Sequence, residues 1–106
     1  MISEKYAIRL GHSDKDPYEI VRVVSDQTLE VRKMDAELDP EWNPSFEPGG
    51  FAGHCTNQNE QRWIFKSNPD RPTERIRLRK RGGWKDPYGT RFILSDVPKK
   101  FYDYNF

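Results

Sequence analysis

The chain has 106 residues, from which one domain (residues 1–106) with a thin core is expected. Only 34% of residues are hydrophobic, yet 13% are aromatic, and each buried ring removes on the order of 150–250 Å² from water, so a folded domain is expected rather than a disordered chain. The net charge of +1 conceals a division: residues 1–61 hold 6 basic and 12 acidic side chains, residues 62–106 hold 12 and 5, and the two halves either neutralise each other or present faces of opposite sign.

Taken in order, the chain reads as short strands separated by turns. Residues 6–10 alternate apolar and polar and stop at Gly11. After a turn-rich loop over 11–17, residues 18–25 are β-branched, and Asp26-Gln27 turns the chain back into residues 28–34. A two-residue turn sets Val24 opposite Leu29, both pointing inward, although Val21 and Val23 make the other face apolar too and leave the register open to slippage.

Residues 35–50 read as one long acidic connection in which Pro40, Pro44 and Pro48 break any regular element. Trp42 and Phe46 give it apolar weight, and it is expected to fold across the mouth of a barrel. Residues 62–67 form another strand. Residues 74–80 alternate with Ile76 and Leu78 inward and Arg75, Arg77 and Arg79 outward. A turn at Asp86-Pro87-Tyr88-Gly89 leads into residues 90–94, and the aromatic end, 101–106, is expected to dock and cover a sheet edge. No segment carries sustained helical periodicity. The expected fold is all-β: about six or seven short strands in a small antiparallel barrel or strongly bent sheet, SH3-like in scale.

Three constellations could carry chemistry. His54-Cys55 has the residue types of a nucleophile and base, but neighbours on an extended segment point to opposite faces, so a buried structural cysteine is the expectation and no catalytic residue is assigned. Even with His12, and with Asp14 or Asp16 added, the Cys/His set is too small for a zinc site of recognisable spacing; no metal and no cofactor are expected. One cysteine also excludes an internal disulfide.

The second constellation is the amide cluster Asn57, Gln58, Asn59 and Gln61, which suits either base edges or the backbone of its own loop. Gly49, Gly50 and Gly53 before it could form an anion-binding nest. The third is the arginine row, Arg75, Arg77 and Arg79, with Lys80, Arg81 and Lys85 following. With Trp84 and Trp63 nearby, guanidinium groups and aromatic planes would suit phosphate and base recognition; a solvated face, or pairing with the acidic 35–47 segment, is the simpler alternative.

The string Gly-Gly-Phe-Ala-Gly-His-Cys-Thr-Asn-Gln-Asn-Glu-Gln-Arg-Trp over 49–63, with the closing Phe-Tyr-Asp-Tyr-Asn-Phe, resembles a set of small proteins of tailed phages and prophages. The resemblance implies a phage-type accessory protein acting in the host cytoplasm and carries no activity to any position. A cytoplasmic setting also agrees with an N-terminus lacking the basic segment and apolar run of a signal peptide, and with no apolar stretch near the ~20 residues of a membrane span.

The leading expectation is a non-enzymatic binding module for a nucleotide or nucleic acid, engaged by Arg75, Arg77, Arg79, Trp84, Trp63, His54, Asn57 and Gln58. The alternatives are a protein-interaction module that inhibits a host protein, a homodimer joined through sheet edges, and a minor Cys/His enzyme.

Overall fold

The structure, a computed structural model, describes residues 2–47 and 54–104, with Glu47 and His54 by backbone alone. The described residues form ten strands: β1 (Tyr6–Leu10), β2 (Lys15–Ser25), β3 (Thr28–Lys33), β4 (Asp35–Leu38), β5 (Phe46–Glu47), β6 (His54–Cys55), β7 (Trp63–Lys66), β8 (Thr73–Arg79), β9 (Gly83–Lys85) and β10 (Arg91–Ser95), with one 3-10 turn at Gln58–Glu60. Six of them close an antiparallel barrel in the order β1-β10-β9-β8-β3-β2. β4 pairs with β7, and β5 with β6, as two smaller ladders. The small all-β barrel expected from the alternation is what forms.

The barrel closes because alternate residues of each strand find a shared interior. Ala7, Tyr18, Leu29, Val31, Ile76 and Phe92 make one buried cluster, with Ile20, Trp84 and Leu94 packed against it. Leu29, Val31 and Ile76 are wholly buried, each contributing about 1.5–3 kcal/mol of hydrophobic stabilisation. Tyr18 and Phe92 meet edge to face, 5.2 Å between centroids and 82° between planes. Burial first, and the Glu74 carboxylate second, push the Tyr18 phenol up to about 12.

Four local expectations change. The Asp26-Gln27 turn does join Ser25 to Thr28, but Leu29 pairs with Val23, not Val24. The extra residues Val21 and Val24 sit at two irregularities in the ladder, and Val24 is 36% exposed. The two bulges resolve an otherwise ambiguous apolar pattern by bending β2 instead of slipping it. Leu78, expected inward, is 42% exposed, because β8 has run past the cluster and its N–H bonds to Gln27 in the β2–β3 turn.

β2 also starts earlier than expected, at Lys15, with the wholly buried Pro17 inside it. That proline lacks a donor, yet its carbonyl accepts from Met34 N–H at 3.0 Å, so only half of its ladder function is lost. Finally, the 35–50 connection is not a single loop over the mouth. β4 ends before Pro40 and β5 begins after Pro44, so the prolines fall between ladders; residues 48–50 lie outside the described residues.

The C-terminal segment ties the smaller ladders to the barrel. Phe101 and Lys15 exchange backbone hydrogen bonds of 2.9 and 3.0 Å, which continues β2 sideways into the tail as expected of a docked end. Tyr102, Tyr104, Trp42 and Phe46 form a chain of rings 4.7–6.2 Å apart. Trp42 is buried within it and its Nε1–H finds no acceptor among the described residues, whereas Phe46 remains half exposed. Ser67 Oγ donates to Glu19 at 2.6 Å and Asp103 N–H to Asp14 at 2.8 Å, clamping the two parts together.

Candidate anion-binding face

β8 places its arginines as the alternation requires. Ile76 is wholly buried while Arg75, Arg77 and Arg79 are exposed on the outer face. What the sequence could not show is which residues stand beside them, because that depends on register. Arg77 lies opposite Lys85 of β9, and Lys85 lies opposite Arg91 of β10. Three cations therefore stand in line across three strands, where facing Cβ atoms are about 4.5–5.5 Å apart and like charges repel. On the β3 side Arg77 faces Thr28, while on the β9 side Arg79 faces Gly83.

Among the described residues one carboxylate forms ion pairs on this face: Glu30, with Arg75 at 3.4 Å and Arg22 at 3.6 Å. Among the described residues, Arg77, Arg79, Lys85 and Arg91 form no ion pair. The arginines, Lys85, Asp86 and Pro87 line a hollow of about 240 Å³. Asp86 is buried there, and its Oδ1 accepts the N–H groups of Tyr88 and Thr90 at 2.9 Å each. Its role in the hollow is to hold the 86–90 turn, which Gly89 completes at φ +86°. The β8–β9 turn likewise uses Gly82 and Gly83, at φ +88° and +71°, values that side chains rarely adopt.

Two aromatic members of the expected site are elsewhere. Trp84 stands opposite Leu78 and Phe92, on the inner face with the core, because it is one residue out of phase with Lys85. Trp63 lies on β7, with Nε1–H donated to Gln61 Oε1 at 2.7 Å and Lys100 Nζ 5.1 Å above its ring. The ring that does flank the row is Tyr88, 91% exposed at the tip of the 86–90 turn, where it shares a depression of about 600 Å³ with Arg9, Arg91 and Thr90. Tyr88 and Arg91 are the residues that strand-by-strand reading missed. A tyrosine at the third position of a Pro-containing turn, followed by a strand-opening arginine, was the available signal.

The amides also have internal partners. Asn57 accepts Ser45 N–H at 2.7 Å and donates to Asn43 carbonyl at 2.8 Å, reading the backbone of the 43–45 segment with both atoms. Gln58 accepts Tyr104 N–H at 2.9 Å. These contacts place Asn57 and Gln58 with the smaller ladders and the tail, away from the arginine row. Cys55 is buried and its thiol donates to Asn57 Oδ1 at 3.5 Å. His54 contributes its backbone to the β5–β6 ladder; its side chain, and the Gly49, Gly50 and Gly53 nest, lie outside the described residues. No group of three or more His, Cys, Asp or Glu side chains converges among the described residues. No helix there is long and apolar enough to cross a membrane.

Some charges on other parts of the surface are matched. Arg32 Nε and Nη2 donate to Glu19 Oε1 at 3.0 and 2.6 Å. Burial tends to raise the Glu19 carboxyl, but hydrogen bonds from Ser67 and Arg32, with the Arg32 charge, outweigh it and hold it below the usual carboxylate range. Arg71 and Asn68 donate to Asp35 and depress it in the same direction. Lys100 pairs with Asp16 at 2.7 Å. No protein-family model, no curated protein and no solved structure matches this chain.

Proposed function

We propose that the protein is a non-enzymatic module that binds the phosphate backbone of a nucleic acid on the outer face of β8, β9 and β10. The observation that carries this reading is the line Arg77–Lys85–Arg91, three cations directly opposed across neighbouring strands with no carboxylate among the described residues paired to them. Such a line is unfavourable in the free chain and becomes favourable once phosphates lie along it. Arg79 and Arg75 extend it along β8, and Tyr88 offers a ring on which a base can stack, a contact worth about 1–3 kcal/mol. This role suits the phage-type accessory protein that the 49–63 motif resembles.

The test is a fluorescence-anisotropy titration of a labelled oligonucleotide, single-stranded and duplex, over a series of salt concentrations. Wild-type protein should bind with an affinity that falls steeply as salt rises, and Arg77→Glu should lose at least tenfold. Tyr88→Ala should weaken the single strand more than the duplex. Equal affinity of wild type and Arg77→Glu would remove the reading.

A second reading has one observation behind it. Past Ile20, whose N–H still bonds to the Lys5 carbonyl at 2.9 Å, β2 pairs among the described residues on one side only, with β3, and Val21, Val23 and Val24 are 43%, 48% and 36% exposed there. An apolar, half-paired strand fits a contact between two copies of the chain. Sedimentation would show a dimer that Val23→Glu dissociates; a monomer at all concentrations would remove it.

A further inference from the structure

We infer that the cleft between β7 and the C-terminal tail is a separate binding site, which takes a mononucleotide. The cleft measures about 320 Å³, within the range of small-molecule sites. Trp63 and Phe65, at alternate positions of β7, make one apolar wall, and Phe101 of the tail makes another. Lys15 and Lys99, both exposed, stand at the rim, and neither forms an ion pair among the described residues. Aromatic planes beside unpaired ammonium groups fit a planar ring that carries phosphate.

The walls are fixed by hydrogen bonds that are independent of any ligand. Gln61 Oε1 accepts both Trp63 Nε1–H at 2.7 Å and Tyr102 N–H at 2.8 Å, while its Nε2 donates to Tyr102 carbonyl at 2.9 Å. One glutamine thus sets the indole and the tail in a single arrangement. Lys100 is held by Asp16 at 2.7 Å, which places its ammonium 5.1 Å from the Trp63 ring centroid and neutralises the Asp16 carboxylate near the cleft. The remaining charge at the rim, from Lys15 and Lys99, is positive. The exposed Asn59 also lines the cleft, and its amide presents the paired donor and acceptor that a base edge recognises.

The site differs from the arginine row in both composition and shape. The row is a run of cations across three strands, suited to a polymer backbone; the cleft is larger and is lined by the rings of Trp63, Phe65 and Phe101. Its occupancy does not depend on nucleic acid binding at the row.

The experiment is a tryptophan-fluorescence and calorimetric titration of the full chain with AMP, adenosine and inorganic phosphate as separate probes. AMP should bind saturably and quench emission, adenosine should bind at least tenfold more weakly, and phosphate should cause no quench. Lys15→Glu combined with Lys99→Glu, at two exposed positions, should weaken AMP at least tenfold while the circular dichroism stays unchanged. Trp63→Phe should abolish most of the quench with a smaller loss of affinity seen by calorimetry. Arg77→Glu should leave AMP binding unchanged. Absence of AMP binding at millimolar concentration, equal AMP affinity in the lysine double variant, or loss of it in Arg77→Glu would each overturn the assignment.

Discussion

Two cross-strand charge arrangements of the same barrel, a few strands apart, behave in opposite ways. Glu19 and Arg32 stand opposite each other on β2 and β3, and a forked hydrogen bond with Ser67 as a third donor joins them. Arg77, Lys85 and Arg91 stand opposite one another on β8, β9 and β10, and no carboxylate of the described residues joins them. The first arrangement fastens the barrel to the segment that follows β7. The second adds repulsion to the free chain, a cost in a domain whose total stability is only about 5–15 kcal/mol, and one that the proposed phosphate partner would offset. The division between acidic and basic halves is therefore only partly neutralised by folding.

The sharpest way to break the comparison lies within β8. Ile76→Ala should cost about 2–5 kcal/mol in a urea denaturation, since it empties a wholly buried position. Its neighbour Arg77→Ala should change stability by less than about 0.5 kcal/mol. If the two variants were equally destabilised, the row would be structural and the contrast between inner and outer face would fail.

Next in size is the matched pair. Glu19→Ala leaves the half-buried Arg32 guanidinium and the Ser67 hydroxyl without their acceptor and should cost about 1–3 kcal/mol. The same pair gives a pH dependence of defined sign. Because the Glu19 carboxyl is depressed in the folded chain, its stabilisation is present above the unfolded carboxylate value of about 4.3 and is lost as pH falls through the folded value. Asp35, depressed by Arg71 and Asn68, adds a contribution of the same sign. Urea midpoints should thus fall from pH 6 towards pH 3, and Glu19→Gln should flatten that fall; an unchanged slope would show that the pair does not act on folding.

Much of this was legible in the sequence where the signal is local. The alternation Arg75-Ile76-Arg77 fixed which face of β8 the cations take, and the Asp86-Pro87-Tyr88-Gly89 string set a turn that the Asp86 side chain completes. Two of the differences share one cause, the register that a turn or a bulge sets between neighbouring strands. Trp84 was assigned to the arginines by nearness in sequence, but the chain between Arg79 and Gly83 brings Trp84 opposite Leu78, one residue out of phase with the row. Val24 was assigned to Leu29 by counting from the turn, and a bulge moved the pairing to Val23. The three prolines of 35–50 argued correctly against one long element, but two short ladders fit around Pro40 and Pro44. Asn57, Gln58 and Gln61 satisfy backbone groups of segments up to 46 residues away, contacts that composition alone cannot specify.

The smallest expected effect is also the most direct test, because its sign is opposite to that of most substitutions. Lys85→Glu replaces two like-charge contacts, with Arg77 and Arg91, by two opposite-charge contacts. Measured by urea denaturation at low salt, the variant should be more stable than wild type by about 0.5–1 kcal/mol. A variant equally or less stable than wild type would contradict the claim that the folded chain holds this cationic line unpaired.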